Sequence, residues 1–371
     1  MKRVLHVVGA RPNFMKVAPI MRQMAKLPQE FDQILVHTGQ HYDANMSQVF
    51  FDELELPRPD INLGVGSGSH THQTANVMLR FEPALLTHNP DWVIVVGDVN
   101  STLACTLVCS KLGIKVAHVE AGLRSFDRSM PEEINRVLVD QIADLLFTPS
   151  RDVDENLLRE GIAWERIRFV GNVMIDTLVH LLPKAEARWR GLSSKLDLER
   201  FVLVTLHRPI NVDNINTLIG ILLALDEISR AIPVIFPVHP RTRMQINSKI
   251  WQPVSTDLKL IEPLGYLDFL ALEVHAALVL TDSGGVQEET TYLNIPCLTM
   301  RPNTERPVTL TQGTNRLVNS EHLALVHAVR TALDHRGRSG DRGANLAPTG
   351  QRAPELWDGR AAERIVEVLA E

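Results

Sequence analysis

The sequence predicts an α/β protein built from two doubly wound, Rossmann-like domains. Two observations carry this prediction: short apolar runs alternate with longer amphipathic stretches, and the same alternation starts again near residue 200. Short apolar runs without polar alternation are typical of parallel strands that are buried on both faces. Strands of this kind that alternate with helices form a parallel sheet covered by helices on both sides.

Five apolar runs in the first part of the chain are predicted strands. They are VLHVV (4–8), QILVHT (33–38), WVIVVGD (92–98), KVAHVE (115–120) and DLLFTPS (144–150). The amphipathic stretches between them predict helices over Lys16–Leu27, Ser101–Leu112 and Pro131–Ile142. Cys105 and Cys109 belong to the apolar pattern of the second of these helices, so we interpret both as small core residues.

A second series of strands follows. It comprises FVLVTLH (201–207), PVIFPVH (233–239), KLIEPL (259–264), ALVLTDS (277–283) and PCLTMR (296–301). A helix is predicted over 171–194, between the two series, and it ends in a polar stretch with Gly and Ser. We therefore place the boundary near Asn172, with a first domain over 1–172 and a second over 173–354.

The end of the chain changes character. Residues 336–355 are rich in Gly, Arg and Pro and lack periodicity, so we predict an exposed loop there. The apolar period returns over Gly359–Ala370, which predicts a last helix.

Composition and charge narrow the class of protein. A length of 371 residues fits two domains at ~150 residues each. The 38 Lys+Arg against 44 Asp+Glu residues give a net charge of −6, which argues against nucleic acid or an anionic membrane as the main partner. Three cysteines without a CxxC pair predict no disulfide framework. The N-terminal apolar run is too short for a signal peptide and no run approaches ~18 apolar residues, so we predict a cytoplasmic protein without a membrane span.

Ligands of open parallel sheets bind beyond the carboxyl ends of the strands. With two such sheets in one chain, we expect the ligand in a cleft between the domains. The segment GARPNFMK (9–16) follows the first strand and places Arg11 and Lys16 around the start of a helix. Because free N–H groups and the helix dipole favour an anion there, both cations are candidate anion ligands.

Asp98 lies at the tip of another predicted strand, where a catalytic and a structural role are both open. It belongs to GDVNSTLA (97–104), which is also a helix-start signature. We therefore interpret Asn100 and Ser101 as capping residues.

The densest polar stretch is HVEAGLRSFDRSMPEEINR (118–136). Glu120 ends a strand in it, and the helix that follows carries Glu132, Glu133 and Arg136. For Glu133, the favourable effect of a negative charge at a helix start is a sufficient explanation. Carboxylates that crowd together from separate strand ends have their pKa values pushed apart, which provides an acid and a base.

Two histidines follow strands of the second series. His207 ends a strand in TLHRPINVDN (205–214), where an imidazole can titrate or hydrogen-bond near neutral pH. His239 in PVHPRT (237–242) has a similar place, and for it a structural and a functional role stay open.

The segment TDSGGVQEE (281–289) predicts a phosphate site. Its small residues Ser283, Gly284 and Gly285 precede a helix and let backbone N–H groups approach a phosphate. Glu289, one turn into that helix, is suitably placed for a pair of ribose hydroxyls. Together with Arg306 in RPNTERP (301–307), this segment indicates a nucleoside diphosphate.

Several cofactor motifs are missing from the sequence. It contains neither GxGxxG after a convincing strand nor GxxxxGK[ST], and no tyrosine has the Tyr-x-x-x-Lys spacing of nicotinamide-dependent sugar epimerases. There is no HExxH, so nothing in the sequence demands a metal. We predict no cofactor.

The ordered motifs resemble those of one family. GARPNFMK, TGQHYD, GDVNSTLA, HVEAGLR, MPEEINR, TLHRP, TDSGGVQEE and TERP look like the non-hydrolysing UDP-N-acetylglucosamine 2-epimerases, from about residue 3 to residue 318. The resemblance implies a glycosyltransferase-B-like fold, with two Rossmann-like domains facing a cleft and the C-terminal helix (355–371) crossing back onto the first domain. It also implies a UDP-sugar substrate, a homodimer and no nicotinamide cofactor.

The resemblance also carries residue roles to this chain. The catalytic carboxylates match Asp98, Glu120 and Glu132, with His207 at the reacting diphosphate, and Leu264 matches a backbone contact to uracil. Contacts to UDP and the sugar match Arg11, Lys16, Arg136, His207, Phe269, Ser283, Gly284, Gly285, Glu289 and Arg306. Many relatives differ from this chain at Asn13, Tyr42 and Val308, which leaves open the allosteric binding of a second UDP-GlcNAc that some members show.

The implied reaction is the reversible conversion of UDP-GlcNAc to UDP-ManNAc for surface polysaccharide. It would proceed by anti elimination of UDP to a 2-acetamidoglucal and re-addition. Alternatives remain at this stage. TGQHYD and SFDRSMPEEINR also resemble 2-epimerases of 2,3-diacetamido uronic acid sugars. A hydrolysing 2-epimerase, a UDP-sugar transferase of the same fold and a catalytically silent UDP-sugar sensor are the others.

Overall fold

The computed structural model describes residues 1–40, 53–248, 252–338 and 353–371. The described chain divides into two compact units, Met1–His180 with Glu355–Glu371 (unit 1) and Leu181–Pro354 (unit 2). The division falls inside a helix, Val173–Leu196, whereas the sequence places the boundary where that helix begins. Two predicted segments fall outside the described residues. His41–Asp43 of TGQHYD lie wholly outside them, and the loop predicted over 336–355 lies largely outside them.

Unit 1 is a parallel sheet with its helices. Its strands are β1 (Lys2–Val8), β2 (Phe31–His37), β3 (Ile61–Asn62), β4 (Trp92–Val96), β5 (Lys115–Val119), β6 (Leu145–Thr148) and β7 (Ile167–Phe169). The helices that follow these strands are α1 (Arg11–Met24), α2 (His70–His88), α3 (Asn100–Leu112), α4 (Pro131–Ile142) and α5 (Arg151–Arg159). The sheet has the order β3-β2-β1-β4-β5-β6-β7, and its recorded pairings are all parallel.

Unit 2 repeats this plan. Its strands are β8 (Val202–Thr205), β9 (Val234–Pro237), β10 (Leu258–Ile261), β11 (Leu278–Thr281), β12 (Cys297–Thr299) and β13 (Asn315–Leu317). Its helices are α6 (Val173–Leu196, which begins in unit 1), α7 (Pro209–Val212), α8 (Ile215–Ser229), α9 (Pro240–Ser248), α10 (Tyr266–His275), α11 (Gly284–Leu293), α12 (Val308–Thr311) and α13 (His322–Arg338). The strand order β10-β9-β8-β11-β12-β13 confirms the prediction of a second doubly wound sheet.

Burial explains why the strands read as unbroken apolar runs. In unit 2, Val202 and Val204 lie in one apolar cluster, whereas Leu203 between them lies in another. Both faces of the sheet are therefore covered, and each residue of such a strand must be apolar. Cys105 and Cys109 are fully buried in the core of unit 1, which confirms their interpretation as core residues. Strands β3, β7 and β13 were not predicted because they are only two or three residues long and partly polar.

The helix α1 begins earlier than predicted. It starts at Arg11 rather than Lys16, with Pro12 in its first turn, where proline fits because that N–H has no helical partner. The side chain of Asn13 accepts hydrogen bonds from Gly9 N at 3.0 Å and Ala10 N at 2.9 Å. Asn13 thus closes the start of α1 as a capping residue.

The interpretation of Asn100 and Ser101 as capping residues is wrong. The N-cap of α3 is Val99, without a side-chain cap, and both polar residues lie inside the helix. Ser101 N donates to Gln40 Oε1 at 3.0 Å, so a distant side chain satisfies this end of the helix. Asn100 Nδ2 donates to Gln73 Oε1 at 2.7 Å. Sequence reasoning missed these partners because both are remote in the chain.

The last helix, α14 (Ala361–Ala370), is shorter at its start than the predicted Gly359–Ala370. Asp176 accepts hydrogen bonds from Ala361 N at 3.1 Å and Ala362 N at 2.7 Å, which caps the helix within unit 1. Burial raises the pKa of Asp176 to about 6. Within the ranges that the structure describes, no helix combines the length and apolar character needed to cross a membrane.

In both units the strand order reverses between the first strand and a later one. In unit 1 these neighbours are β1 and β4, and in unit 2 they are β8 and β11. Such switch points are where open α/β sheets leave a crevice at the carboxyl ends of their strands. In each unit, the segments after these two strands therefore hold the candidate site residues.

Candidate active site

Asp98 follows β4 at the switch point of unit 1 and is held by residues of α4. Arg136 donates to its Oδ2 from Nε at 3.0 Å and from Nη2 at 2.6 Å. Asn135 Nδ2 donates to the backbone oxygen of Asp98 at 2.8 Å. The side chain of Asp98 is 28% exposed, so this carboxylate is held by Arg136 and is partly accessible to solvent.

Arg136 is deeply buried, with 3% of its side chain exposed. Its Nη1 donates to Glu133 Oε2 at 2.6 Å, so the guanidinium joins two carboxylates. Glu133 also accepts from Ser125 N at 2.9 Å and Phe126 N at 2.8 Å. Glu133 therefore does more than favour the helix start, because it ties the preceding loop to α4. This geometry makes Arg136 a positioning residue for Asp98, and its role as a substrate ligand stays a prediction.

Glu120 lies directly after β5, in the left-handed region at a φ of 73°. Left-handed backbone is strained for a residue with a side chain and is common at functional sites. Its carboxylate forms a buried ion pair with Lys16. The structure thus gives Lys16 a carboxylate partner that the sequence did not predict, and its role as an anion ligand stays a prediction.

Gly97 brings the two carboxylate-bearing segments together. A Cβ on Gly97 would lie 2.9 Å from Lys16 Nζ and 3.3 Å from Glu120 Oε2, so only glycine leaves room for this ion pair beside Asp98. His118 supports the same backbone, with its Nε2 at 2.8 Å from Gly97 O. Glu120 therefore lies against the residue that precedes Asp98.

His118 belongs to a buried charge network. Its Nδ1 lies 2.7 Å from Asp140 Oδ1, and Arg124 Nη1 donates to Asp140 Oδ2 at 2.7 Å. Burial by itself would raise the pKa of Asp140, but the bonds and charges of His118 and Arg124 outweigh burial and hold the pKa below its usual value. This network fixes the end of β5 behind Glu120. Sequence reasoning passed over His118, although it stands in the motif HVEAGLR.

Two further predicted site residues of unit 1 are Glu132 and Arg11. Glu132 is half-buried in the first turn of α4, next to Glu133. Arg11 is the first residue of α1, and its side chain lies outside the described part of the structure. Their roles stay predictions.

His207 and Asp282 mark the switch point of unit 2. His207 Nδ1 lies 2.9 Å from Asp282 Oδ1, with the imidazole 55% exposed and the carboxylate 0% exposed. Burial would raise the pKa of Asp282, but hydrogen bonds from His207, Asn211 and Arg208 outweigh it and lower the pKa. Asp282 is therefore an ionised carboxylate under an accessible imidazole. His239, after β9, is also exposed.

The turn Ser283–Gly285 begins α11 as predicted for a phosphate site, and Arg306 lies against it. A Cβ on Gly284 would lie 2.8 Å from Arg306 Cζ. Arg306 is buried and forms ion pairs with Glu288, at 2.7 Å, and with Glu305. The structure thus places Arg306 at the predicted turn but compensates its charge with two carboxylates that sequence reasoning missed.

Three arginines crowd this corner of unit 2. Arg208 Nε donates to Asp282 O at 3.0 Å, and Arg301 Nη2 donates to Glu305 Oε2 at 2.6 Å. The pKa of Arg208 is lowered by burial and by the neighbouring charges of Arg301 and Arg306. The carboxylates of Glu305, Glu288 and Asp282 balance the charges of these arginines, so the corner is a compensated charge network beside the turn.

Glu289 is buried in α11 rather than open at its surface. Tyr266 Oη donates to Glu289 Oε1 at 2.7 Å. Burial raises the pKa of Glu289 to about 7. Burial and the nearby charge of Glu289 raise the pKa of Glu273 well above its usual value, so Glu273 is the neutral carboxyl group of the two. Leu264 and Phe269 are half-buried and pack against the adjoining apolar cluster.

Metal ligation finds no support in the described ranges, where no group of three or more His, Cys, Asp or Glu side chains could hold an ion. The arrangement offers two carboxylates in unit 1 for proton transfer. Unit 2 offers a glycine-rich turn, an imidazole and arginines for an anion.

Comparison with known proteins identifies the chain. A family model described as UDP-N-acetylglucosamine 2-epimerase matches residues 23–370. The chain is 44% identical over 335 residues to a UDP-N-acetylglucosamine 2-epimerase of Methanococcus maripaludis, covering 88% of this chain and 90% of that protein. It is 40% identical over 371 residues to a UDP-2,3-diacetamido-2,3-dideoxy-D-glucuronate 2-epimerase of Pseudomonas aeruginosa, covering 99% of each.

The same holds for solved structures. The crystal structure of Methanocaldococcus jannaschii UDP-GlcNAc 2-epimerase in complex with UDP-GlcNAc and UDP matches with a TM-score of 0.87 and 43% identity over 99% of each chain. The two Rossmann-like domains thus define a protein of the glycosyltransferase-B-like class. Within that class, the chain belongs to the UDP-N-acetylglucosamine 2-epimerase family, which confirms the resemblance seen in the motifs.

Proposed function

We propose that the protein interconverts UDP-GlcNAc and UDP-ManNAc by inverting C2 of the sugar. The observation that carries this proposal is the pairing around Gly97, where Glu120 lies against the residue before Asp98 and each carboxylate is fixed by its own cation. Two oriented carboxylates at neighbouring strand ends suit the removal of a proton from one face of a carbon and its return on the other.

The proposed reaction needs no redox step. A carboxylate takes the C2 proton, the C2–H electron pair forms the C1=C2 bond, and the C1–O bond breaks with its electrons going to UDP. Re-addition of UDP to C1, with protonation of C2 from the opposite face, gives the epimer. We assign the proton transfers to Asp98, Glu120 and Glu132, because groups of this type are suited to general acid and base work.

Stabilisation of the departing diphosphate is assigned to unit 2. The N–H groups at the start of α11, with Ser283, Gly284 and Gly285, suit the negative charge that develops on UDP, and Arg306 lies against this turn. Glu289 is assigned to the ribose and the Leu264–Phe269 segment to uracil. The relative from Methanocaldococcus jannaschii was solved with UDP-GlcNAc and UDP, which supports this class of ligand.

The test is NMR of the purified protein with UDP-GlcNAc in D2O. We expect UDP-ManNAc to appear and deuterium to enter C2 of the product. Product without C2 deuterium would contradict elimination, and release of free ManNAc with UDP would indicate a hydrolysing enzyme. Unchanged UDP-GlcNAc beside tight UDP binding would indicate a sensor or a transferase that lacks its acceptor.

A UDP-linked 2,3-diacetamido uronic acid is the second candidate substrate, and one observation favours it. The relative from Pseudomonas aeruginosa, named for a 2,3-diacetamido glucuronate, aligns over 99% of both chains. The same NMR assay with the UDP-linked 2,3-diacetamido uronic acid compares the two sugars, and the larger kcat/KM identifies the substrate. We further propose a cytoplasmic homodimer that supplies precursors of surface polysaccharide. Light scattering of the purified protein tests the dimer.

A further inference from the structure

His207 and Asp282 meet because of the strand order of unit 2. They are 75 residues apart in sequence, yet β8 and β11 are paired in the sheet, with Thr205 opposite Thr281. The residues just beyond these paired ends therefore face one another at the switch point.

The carboxylate of Asp282 is an acceptor of several hydrogen bonds. Its Oδ2 accepts from Arg208 N and from Asn211 Nδ2, each at 3.0 Å, and His207 N donates to Oδ1 at 3.1 Å. These bonds fix the carboxylate, and its Oδ1 lies 2.9 Å from His207 Nδ1. An acidic group that is fully buried with this many donors stays ionised.

The contact fixes the protonation pattern of the ring. Because a carboxylate only accepts, Nδ1 of His207 carries a proton. The described residues supply no recorded hydrogen-bond partner for Nε2, on an imidazole that is 55% exposed. Nε2 is thus the ring nitrogen open to a ligand.

Charged side chains of both signs surround this ring. Arg208 is adjacent in sequence, and Arg301 and Arg306 add positive charge to the same corner, with Glu305 and Glu288 paired to those arginines. Asp282 is the carboxylate in direct contact with the imidazole. It therefore supplies the negative charge for an imidazolium that forms during the reaction.

We infer that Asp282 is a positioning residue for His207: it holds Nδ1–H and stabilises the imidazolium, so that Nε2–H donates to the diphosphate as the C1–O bond breaks. The inference rests on the proposed function. A diphosphate offers only acceptor oxygens, so the productive ring nitrogen must donate. A charged donor at a developing anion favours the transition state over the ground state.

The test is Asp282→Asn. The amide oxygen can replace Oδ2 and keep the bonds from Arg208 N, Asn211 and His207 N, the last at 3.2 Å from Oδ2, while the amide nitrogen faces His207 Nδ1. We expect the ring to lose the Nδ1 proton and to charge at a lower pH. Turnover should fall at least about tenfold, with kcat affected more than KM, and the alkaline limb of the kcat profile should move to lower pH.

Asn211→Ala is the matched control, since it removes a hydrogen bond to the same carboxylate but leaves the His207 contact. It should lower the thermal unfolding temperature without moving the titration midpoint of His207 in 15N NMR. A midpoint that moves equally in both variants, or an unchanged kcat profile in Asp282→Asn, overturns the inference.

Wild-type 15N NMR gives a readout that needs no variant. Above the titration midpoint, the neutral His207 ring should carry its proton on Nδ1, and an Nε2–H tautomer would exclude the dyad even if Asp282→Asn fails to fold. Failure of the proposed function is a separate outcome, because it shows as the absence of wild-type epimerisation whatever the tautomer.

Discussion

Arg136 directs two N–H groups, Nε at 3.0 Å and Nη2 at 2.6 Å, at the single oxygen Oδ2 of Asp98. The remaining arm of the guanidinium is bound to Glu133 at 2.6 Å. The orientation of Asp98 is therefore set from α4, not from the strand that it follows. A fork-shaped donor is required because one cation must satisfy two carboxylates at fixed angles.

Arg136→Lys tests this arrangement. A lysine ammonium is a single point charge and cannot serve both carboxylates in this geometry. We expect kcat for UDP-GlcNAc to fall by about tenfold or more and the unfolding temperature to drop, because Glu133 is left buried with less compensation. Arg159→Lys, in an exposed ion pair with Glu155, is the control and should change neither. Wild-type kcat in Arg136→Lys would show that Asp98 needs no orientation.

The three proposed proton-transfer groups predict a common result. Asp98→Asn, Glu120→Gln and Glu132→Gln keep the shape of each side chain and remove its basicity. Each should lower kcat by ~10²-fold or more. The affinity for UDP, measured by calorimetry, should stay close to the wild-type value because UDP is assigned to unit 2. If a variant keeps full turnover, the residue changed in it is not a proton-transfer group.

Lys16 and Glu120 predict a strong energetic coupling. Both side chains are buried, at 7% and 4% exposure, so Lys16→Met leaves a carboxylate without its cation. We expect this variant to lose about 3–5 kcal/mol of unfolding free energy. The double variant Lys16→Met/Glu120→Gln should be more stable than the sum of the single changes implies. Additive losses in chemical denaturation would mean that the pair contributes no coupling.

Glu273 and Glu289 predict how stability depends on pH. The pKa of Glu289 is raised from 4.5 to about 7 and that of Glu273 is raised as well, so the folded protein keeps protons that the unfolded chain releases above pH ~4.5. The free energy of unfolding should therefore fall as pH rises from about 4.5 to 7, since the unfolded state binds fewer protons there.

Glu273→Gln should reduce this loss. The glutamine side chain is neutral at any pH, as the protonated acid is, but it has no proton to release. We expect the variant to exceed the wild type in unfolding free energy at pH 8 by about 1 kcal/mol or more, since one unit of pKa corresponds to ~1.4 kcal/mol. Glu199→Gln, at an exposed carboxylate of the same unit, is the control. Parallel pH curves for wild type and Glu273→Gln would show that Glu273 does not keep its proton in the folded protein.

Gly284→Ala probes the glycine-rich turn. Its new Cβ would lie 2.8 Å from Arg306 Cζ and 3.0 Å from Glu305 Oε1, so the guanidinium must move. We expect the affinity for UDP to weaken by about fivefold or more, because one methyl displaces both a cation and the turn. Gly220→Ala has open space around its Cβ in α8 and should raise stability by ~0.5–1 kcal/mol without altering UDP binding. Equal UDP affinity in the two variants would show that neither the turn nor Arg306 contributes to binding of the diphosphate.

Much of the fold follows from local sequence. The central strands were predictable because burial on both faces makes them apolar without interruption, as in FVLVT before His207. The short edge strands were not, since β3 and β13 carry too few apolar residues for a pattern. The prediction of a helix start was wrong where a side chain from a distant part of the chain binds the first N–H groups, as Gln40 does at Ser101.

The site divides in the same way. The sequence by itself determined which segments follow strand ends and hence which residues gather at the switch points, because local apolar period and glycine position are properties of neighbouring residues. Only the tertiary structure decided the partners: Lys16 with Glu120, 104 residues away, and His207 with Asp282, 75 residues away. Those pairings depend on strand order in the sheet and on burial. A charge in a buried place takes the nearest opposite charge, whichever part of the chain supplies it.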